Sequence, residues 1–288
     1  MLARVHHVGL VVRRLEDGLA FWRDALGLGI AKQATVEDQG VKAALLPIGR
    51  SEIELLEPIE PKGGVAKFLE KRGEGLHHVC FETPDVTAEL ARARIEGFPL
   101  IDEAPRPGLA GRICFLHPKG TRGVLVEFAT PPSGEHAHAG TGPGAGPLAG
   151  LALREVIARS REAESVAELF AAKLGLARDT VPPEPGLVRT AVTVGGVRLL
   201  FVSADPRSAG PEAAAVRAAE ESLGDGLAGL VLEVRDLDAA ATALARFAPA
   251  RAPGAFHLAA ERCHGVPLAF RPLVHPTLIE SVTLSALN

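Results

Sequence analysis

The sequence predicts an α+β fold in which tandem βαβββ modules form two domains, the second of them degenerate. Three observations predict it. The order strand, helix, strand, strand, strand occurs twice within residues 1–130, a Gly- and Pro-rich segment follows at 131–148, and residues 149–288 repeat the pattern in weakened form. We therefore expect a domain at 1–130, a linker at 131–148 and a second domain at 149–288.

The composition is that of a globular protein. Of the 288 residues, 47% are hydrophobic and 23% charged, and the formal net charge is −4. This charge and an aromatic content of 4% argue against a nucleic-acid partner. No apolar run approaches the roughly 18 residues that span a bilayer, and the first residues lack the apolar stretch of a secretion signal. The three cysteines form no CxxC pair, so we expect a reducing, cytoplasmic compartment and no membrane partner.

The first module begins with a β-branched segment at 5–12, which predicts a strand. A helix is predicted over 15–26, because its apolar residues recur at helical spacing and a glycine follows. Further predicted elements are strands at 30–36, 41–47 and 52–56 and a short helix at 65–71.

The second module repeats this order. A strand is predicted at 76–82 and a helix at 85–96. Strands at 99–101, 112–116 and 124–128 complete the module.

Each module carries a histidine on its first strand and a glutamate on its last. These residues are His7 and Glu54, then His78 and Glu127. If the modules pack about a pseudo-twofold axis, all four side chains meet. Two imidazoles and two carboxylates suit a divalent ion such as Co, Mn, Ni, Zn or Fe. Such an ion accepts substrate oxygens only when five- or six-coordinate, unlike a closed structural zinc site.

A second interpretation of these residues is purely structural. A lone histidine on an apolar strand is often a packed core residue, and a lone glutamate on a strand can face solvent. Four such residues at matching module positions favour the metal site. Strand alternation predicts that the neighbouring His6 and His77 point to the opposite face, as packing or surface residues.

The paired modules with their His-Glu-His-Glu pattern resemble the vicinal oxygen chelate superfamily, which includes glyoxalases and bleomycin-resistance proteins. More narrowly, VAKFLEKRGEGLHHVCFE (65–82) and FLHPKGTRGVLVEF (115–128) resemble the methylmalonyl-CoA epimerase family, over about residues 4–131. The resemblance implies a cup-shaped sheet that holds a divalent metal ion on His7, Glu54, His78 and Glu127. It also implies an isomerase that epimerises methylmalonyl-CoA, or a related 2-substituted acyl-CoA, by removing and returning an α-proton through a metal-stabilised enolate.

The catalytic roles follow from this resemblance. Glu127 is the first candidate base, and Glu54 is its counterpart for the opposite face of the substrate. Some epimerases place a catalytic glutamate after a QG turn, but here that position is Ala43, so the identity of the second base stays open. Lys119 and Arg122 are candidate contacts to CoA phosphates, or simply cations of a solvated turn. A glyoxalase I-type lactoylglutathione lyase shares the His-Glu-His-Glu pattern and is the alternative enzyme, and a non-catalytic small-molecule binding protein is a further one.

The second half repeats the pattern without the metal ligands. GLAGLVLEVRD (226–236) aligns with GLHHVCFETPD (75–85), and HLAAERCHGVPLAF (257–270) aligns with 115–128. The ligand positions then become Glu155, the apolar pair at 199–200, Gly229 and Ala269. We expect a structural domain that forms an intrachain pseudo-dimer, with a homodimer or a metal-free ligand pocket as alternatives.

Overall fold

The computed structural model describes residues 1–132 and 143–273, which form two eight-stranded mixed sheets. The strands of the first half are β1 (Arg4–Val11), β2 (Lys32–Val36), β3 (Val41–Ile48), β4 (Ser51–Pro58), β5 (Gly75–Glu82), β6 (Arg106–Gly108), β7 (Gly111–Leu116) and β8 (Leu125–Thr130). Those of the second half are β9 (Ala152–Arg159), β10 (Ala177–Asp179), β11 (Leu187–Val194), β12 (Val197–Ala204), β13 (Gly226–Val234), β14 (Ala250–Ala252), β15 (Ala255–Leu258) and β16 (Leu268–Pro272).

The helices lie between these strands in the predicted order. They are α1 (Leu15–Leu19), α2 (Gly64–Arg72), α3 (Val86–Ile95), α4 (Ala163–Leu174), α5 (Pro211–Leu223) and α6 (Leu237–Ala243). The predicted helix at 15–26 is present, but α1 widens after Leu19 into a π-helical turn over Ala20–Ala25, where the Leu26 N–H donates to the Phe21 carbonyl. Among the described residues, no helix is long and apolar enough to cross a membrane.

The first sheet places the first strands of the two modules side by side at its centre. Its strand order is β2-β3-β4-β1-β5-β8-β7-β6, with β1 antiparallel to β5. β4 pairs in parallel with β1, and β8 pairs in parallel with β5. The four strands that carry the predicted ligands are therefore the four central neighbours of the sheet.

The second sheet has the same order and the same register, which confirms the predicted fold class. Its order is β10-β11-β12-β9-β13-β16-β15-β14. Val231 pairs with Ala269 as Cys80 pairs with Glu127 in the first sheet. Glu155 likewise pairs with Val231, as His7 pairs with Cys80. The alignment of the two halves is thus reproduced strand by strand.

One predicted strand is wrong. Residues 99–101 form only an isolated bridge, between Leu100 and Leu116, and the edge strand of this module is β6 instead. Pro99 has no N–H to donate to a ladder, and its carbonyl accepts a hydrogen bond from the His117 N–H, just after the end of β7. The segment at 99–101 is therefore a connection that precedes the edge strand.

The two halves share one hydrophobic core and contact each other in matching pairs. Buried residues of both halves form a single cluster, and the half-buried Phe247 packs against it with its ring 5.1 Å from that of Phe21. A Cβ on Gly123 would lie 2.6 Å from Cβ of Asp225, and one on the equivalent Gly265 would lie 1.9 Å from the Glu74 carbonyl oxygen. These contacts are related by the internal repeat, so the halves pack against each other at equivalent positions.

The predicted linker is only partly described. Residues 133–142 of this segment, among them His136 and His138, lie outside the described residues. At the end of the segment, Leu148 is buried in the shared core, so this part packs against the folded halves. The domain boundaries at 130 and 149 stay a prediction.

Candidate metal centre

The central strands of the first sheet bring the four predicted residues together. His7 lies on β1, Glu54 on β4, His78 on β5 and Glu127 on β8. One donor atom from each lies within 4.8 Å of the others, and all four side chains are buried. The pseudo-symmetric packing inferred from the sequence is what produces this cluster.

The donor atoms already have the spacing that a metal ion requires. His7 Nε2 lies 2.9 Å from His78 Nε2, 3.1 Å from Glu127 Oε2 and 3.4 Å from Glu54 Oε2. His78 Nε2 lies 2.9 Å from Glu127 Oε2 and 3.4 Å from Glu54 Oε2. With metal–ligand bonds of about 2.1 Å, ligands at right angles lie about 3.0 Å apart and tetrahedral ones about 3.4 Å. The residues present therefore fit a divalent ion.

The protonation preferences of these groups come from their mutual contacts. Burial alone would lower the pKa of His7, but Cys80 and the two carboxylates raise it well above its ordinary value. Burial would also lower the pKa of His78, but hydrogen bonds to Glu127 and Glu54 raise it. Burial would raise the pKa of both carboxyls, but the histidines hold it below the usual range. Without a metal ion, the cluster therefore holds its carboxylates ionised against protonated imidazole.

Two residues that the sequence analysis did not single out shape the position of His78. A Cβ on Gly9, the residue opposite on β1, would lie 2.2 Å from Cε1 of His78, so the imidazole covers a glycine. The Phe115 ring packs edge-on against the His78 imidazole, with the two ring centroids 5.3 Å apart. A glycine inside a strand is the sequence signal for such a close approach.

The prediction that His6 and His77 face away from the site is wrong. The pairing of β1 with β5 shifts register between Val5 and His7 and again between Gly9 and Leu10. These shifts leave His6 and His77 as bulged residues, which do not follow strand alternation. Nδ1 of His6 lies 2.9 Å from Nδ1 of His7, and Nδ1 of His77 lies 3.1 Å from Nδ1 of His78. Burial, together with the adjacent histidine, lowers the pKa of each bulged histidine to about 3.

The predicted phosphate contacts lie apart from the four central residues. Lys119 and Arg122 occupy the turn between β7 and β8, and both are exposed. Arg122 forms an ion pair of 2.9 Å with Glu162 of the second half. In the described part of the chain, no hydrogen bond or ion pair joins either cation to the four central residues.

The equivalent positions of the second half hold an ion pair and an apolar cluster. Glu155 stands where the first half has His7, and it forms a buried ion pair of 2.5 Å with Arg198. Leu200 occupies the position of Glu54, and Ala269 that of Glu127. Both pack with Ile157 in a small apolar cluster. The described part of this half therefore lacks the ligand set, as the alignment predicted.

Comparisons with known proteins agree with this architecture. Residues 6–115 match the Glyoxalase/Bleomycin resistance protein/Dioxygenase superfamily. The uncharacterized protein YqjC of Bacillus subtilis is 38% identical over 134 residues, which cover 46% of this chain and 96% of YqjC. The ethylmalonyl-CoA/methylmalonyl-CoA epimerase of Cereibacter sphaeroides is 35% identical over 131 residues, which cover 44% of this chain and 98% of that enzyme.

One solved structure matches both halves together. A mutant of 4-hydroxymandelate synthase from Streptomyces coelicolor superimposes with a TM-score of 0.71 over 94% of this chain and 92% of its own. Its sequence identity is 16%, so it shows that the two-sheet fold is shared. Together with the sequence relatives, the fold and the strand order establish that the chain belongs to the glyoxalase/bleomycin resistance protein/dioxygenase superfamily.

Proposed function

We propose that the first half is a metal-dependent epimerase of methylmalonyl-CoA or of a related 2-substituted acyl-CoA. The observation that carries the proposal is the buried cluster of two imidazoles and two carboxylates, whose donor atoms lie within 4.8 Å of one another. The 35% identity to an ethylmalonyl-CoA/methylmalonyl-CoA epimerase along nearly its whole length supports the substrate class.

The substrate of this reaction carries its α-hydrogen between a thioester carbonyl and a carboxylate. A divalent ion held by His7, Glu54, His78 and Glu127 would act as a Lewis acid toward these oxygens. The two histidines lie on the paired central strands and fix one side of the cluster. Their side chains are almost fully buried, so the site excludes bulk water and strengthens every charge interaction within it.

Two carboxylates supply the proton chemistry. Glu127, as the carboxylate, removes the α-proton from one face of the carbon, and Glu54, from the other module and protonated at this stage, delivers its proton to the opposite face. The turnover leaves Glu127 protonated and Glu54 ionised, so no proton is consumed overall, and proton exchange with solvent after product release restores the starting state. Ala43, at the position where some epimerases have a catalytic glutamate, is buried in an apolar cluster with Leu45 and Leu56. Glu54 is therefore our candidate for the second base.

The CoA portion would leave the cup toward solvent. The exposed Lys119 is our candidate contact to its phosphates. Arg122 is a weaker candidate, since its guanidinium already pairs with Glu162.

A glyoxalase I-type lyase is the second candidate function. Glu54 favours it, because this residue completes the His-Glu-His-Glu pattern that glyoxalase I shares. The same two carboxylates would move a proton between adjacent carbons of a hemithioacetal.

Assays with both substrates separate these functions. The metal-loaded full chain is incubated with one epimer of methylmalonyl-CoA and, separately, with the hemithioacetal of methylglyoxal and glutathione. We expect metal-dependent interconversion of the acyl-CoA epimers and a loss of this activity in His78→Ala. Turnover of the hemithioacetal alone would assign the chain to the lyases, and turnover of neither would leave a binding protein.

A further inference from the structure

Each of the two central strands carries two adjacent histidines, and the two histidines of each pair contact each other in the same way. At each register shift the bulged histidine, His6 or His77, turns its Nδ1 toward Nδ1 of the next residue. His7 and His78 use their other nitrogen, Nε2, to face the carboxylates. The same contact thus occurs in both modules.

The tautomer of a metal-binding imidazole decides which histidine of each pair donates this hydrogen bond and which accepts it. A neutral imidazole that offers Nε2 to a metal ion carries its proton on Nδ1. The Nδ1–H groups of His7 and His78 therefore need acceptors, and the nitrogens at 2.9 and 3.1 Å are within hydrogen-bond distance. His6 and His77 then carry their own protons on Nε2.

We propose that His6 and His77 are positioning residues, each accepting the Nδ1–H hydrogen bond of the adjacent metal-binding histidine. They fix the tautomer and the ring orientation of His7 and His78. This role rests on the metal-dependent function proposed above. Partners of this kind, which hold the non-coordinating nitrogen of a ligand histidine, are worth about 10- to 100-fold in metal affinity.

Other groups near these nitrogens are weaker partners. Glu52 Oε2 lies 3.6 Å from Nδ1 of His6, which is beyond hydrogen-bond distance. The Cys80 thiol forms a hydrogen bond with His7 and lies near His6, but sulfur is a weak acceptor. In the second module, the Phe68 ring packs edge-on against His77 at a centroid distance of 5.0 Å and holds that ring in place.

The bulges themselves do not depend on histidine. The second half has register shifts at the equivalent places, where Arg154 and Ala228 are the bulged residues. The bulge of the second half contains an alanine, Ala228, at the position equivalent to His77. We therefore expect His77→Ala to keep the bulged backbone. Loss of the imidazole can thus be separated from loss of the fold.

Cobalt binding tests the proposal. The Kd of the metal-free full chain for Co²⁺ is measured from the visible absorption of the bound ion, for wild type, His6→Ala and His77→Ala. His6→Asn and His77→Asn keep an acceptor oxygen near the position of Nδ1. His257→Ala removes a buried histidine of the second half and is the matched control, and Cys80→Ala tests the thiol. Long-range ¹H–¹⁵N spectra of the zinc-loaded protein report which imidazole nitrogens carry protons.

We expect each alanine variant to bind Co²⁺ about 10- to 100-fold more weakly, with an altered absorption band, while the asparagine variants and both controls stay close to wild type. We expect protonated Nδ1 in His7 and His78. Unchanged affinity and spectra in both alanine variants would overturn the proposal. A Cys80→Ala effect as large as that of His6→Ala would overturn it for His6. Failure of the wild-type chain to bind cobalt would instead overturn the metal-dependent function on which the proposal rests.

Discussion

Gly9 and His78 face each other across the two central strands, and the second half has the small and the large residue exchanged. In the first half the imidazole of His78 covers the bare Cα of Gly9. In the second half the equivalent pair is Ile157 and Gly229. Loss of the candidate ligand on one strand therefore goes with a gain of apolar volume on the other, and Ile157 packs in the apolar cluster that stands where the first half has its candidate metal centre.

Gly9→Ala is expected to impair metal binding with little effect on the fold. The new Cβ would lie 2.2 Å from Cε1 of His78, so the imidazole must move away from the other three donors. Metal content after dialysis, measured by elemental analysis, is expected to fall well below that of wild type. Gly29→Ala is the control, because a Cβ there would have no atom within 4 Å. Equal metal content in the two variants would show that the Gly9–His78 contact does not control the site.

Glu127→Gln separates proton transfer from metal binding. The amide oxygen can still bind a metal ion, but it cannot take the α-proton. We expect retained metal and a rate of epimerisation lower by roughly 10²- to 10⁴-fold, which is the usual contribution of a positioned base. Glu57→Gln, on the strand of Glu54, is the control, since Glu57 pairs with Lys42. A Glu127→Gln rate within a few-fold of wild type would remove Glu127 from the role of base.

The pH dependence of stability is expected to differ between the metal-free and metal-loaded protein. The pKa values of His7 and His78 are raised above 6.5 in the folded state, so their protonation stabilises the metal-free fold. That stabilisation is fully present below pH 6.5 and is lost as the pH rises through the raised pKa values. A bound ion takes the place of these protons.

Melting temperatures between pH 6 and pH 9 measure this effect. With a chelator we expect the melting temperature to decrease toward pH 9, and with metal we expect a flatter profile. His7→Asn should flatten the profile of the metal-free protein as well. Parallel profiles with and without metal would contradict the proposed exchange of protons for metal.

Gly265→Ala tests the packing of the two halves. Gly265 has a φ of +76°, and an added Cβ would lie 1.9 Å from the Glu74 carbonyl oxygen. Gly254→Ala is a matched control, because Gly254 has a φ of +65° and a Cβ there would meet no atom within 4 Å. The control measures backbone strain alone, about 1–2 kcal/mol. We expect a larger loss in the free energy of unfolding for Gly265→Ala, measured by urea denaturation, and equal losses would contradict a tight contact between the halves.

The sequence was sufficient to predict the strands of both modules, except the edge strand of the second, and the meeting of the four candidate ligands. Hydrophobic alternation locates the strands, and His7 and His78 occupy equivalent positions of a repeat, so symmetry alone brings them together. The gapless alignment of the second half also predicted the substitutions at Gly229 and Ala269, because the two halves carry their bulges at equivalent places.

The direction in which the side chains of His6 and His77 point could not be predicted from strand alternation. Strand alternation assumes an unbroken ladder, and a bulge breaks it by one residue without a clear mark in the sequence. The π-helical turn after Leu19 is a similar case, and its residues Phe21 and Trp22 are buried in the shared core. Local pattern predicts the element, and tertiary packing decides these one-residue adjustments.

Exchange of the α-proton of methylmalonyl-CoA would report the proposed metal-dependent enolate chemistry without any coupled assay. The cobalt-loaded full chain is incubated with methylmalonyl-CoA in deuterated water, and the α-proton signal is followed by NMR beside a chelator-treated sample and a protein-free control. We expect the signal to disappear much faster with the cobalt-loaded protein than in either control. Stoichiometric bound metal without accelerated exchange would contradict the proposed enolate chemistry.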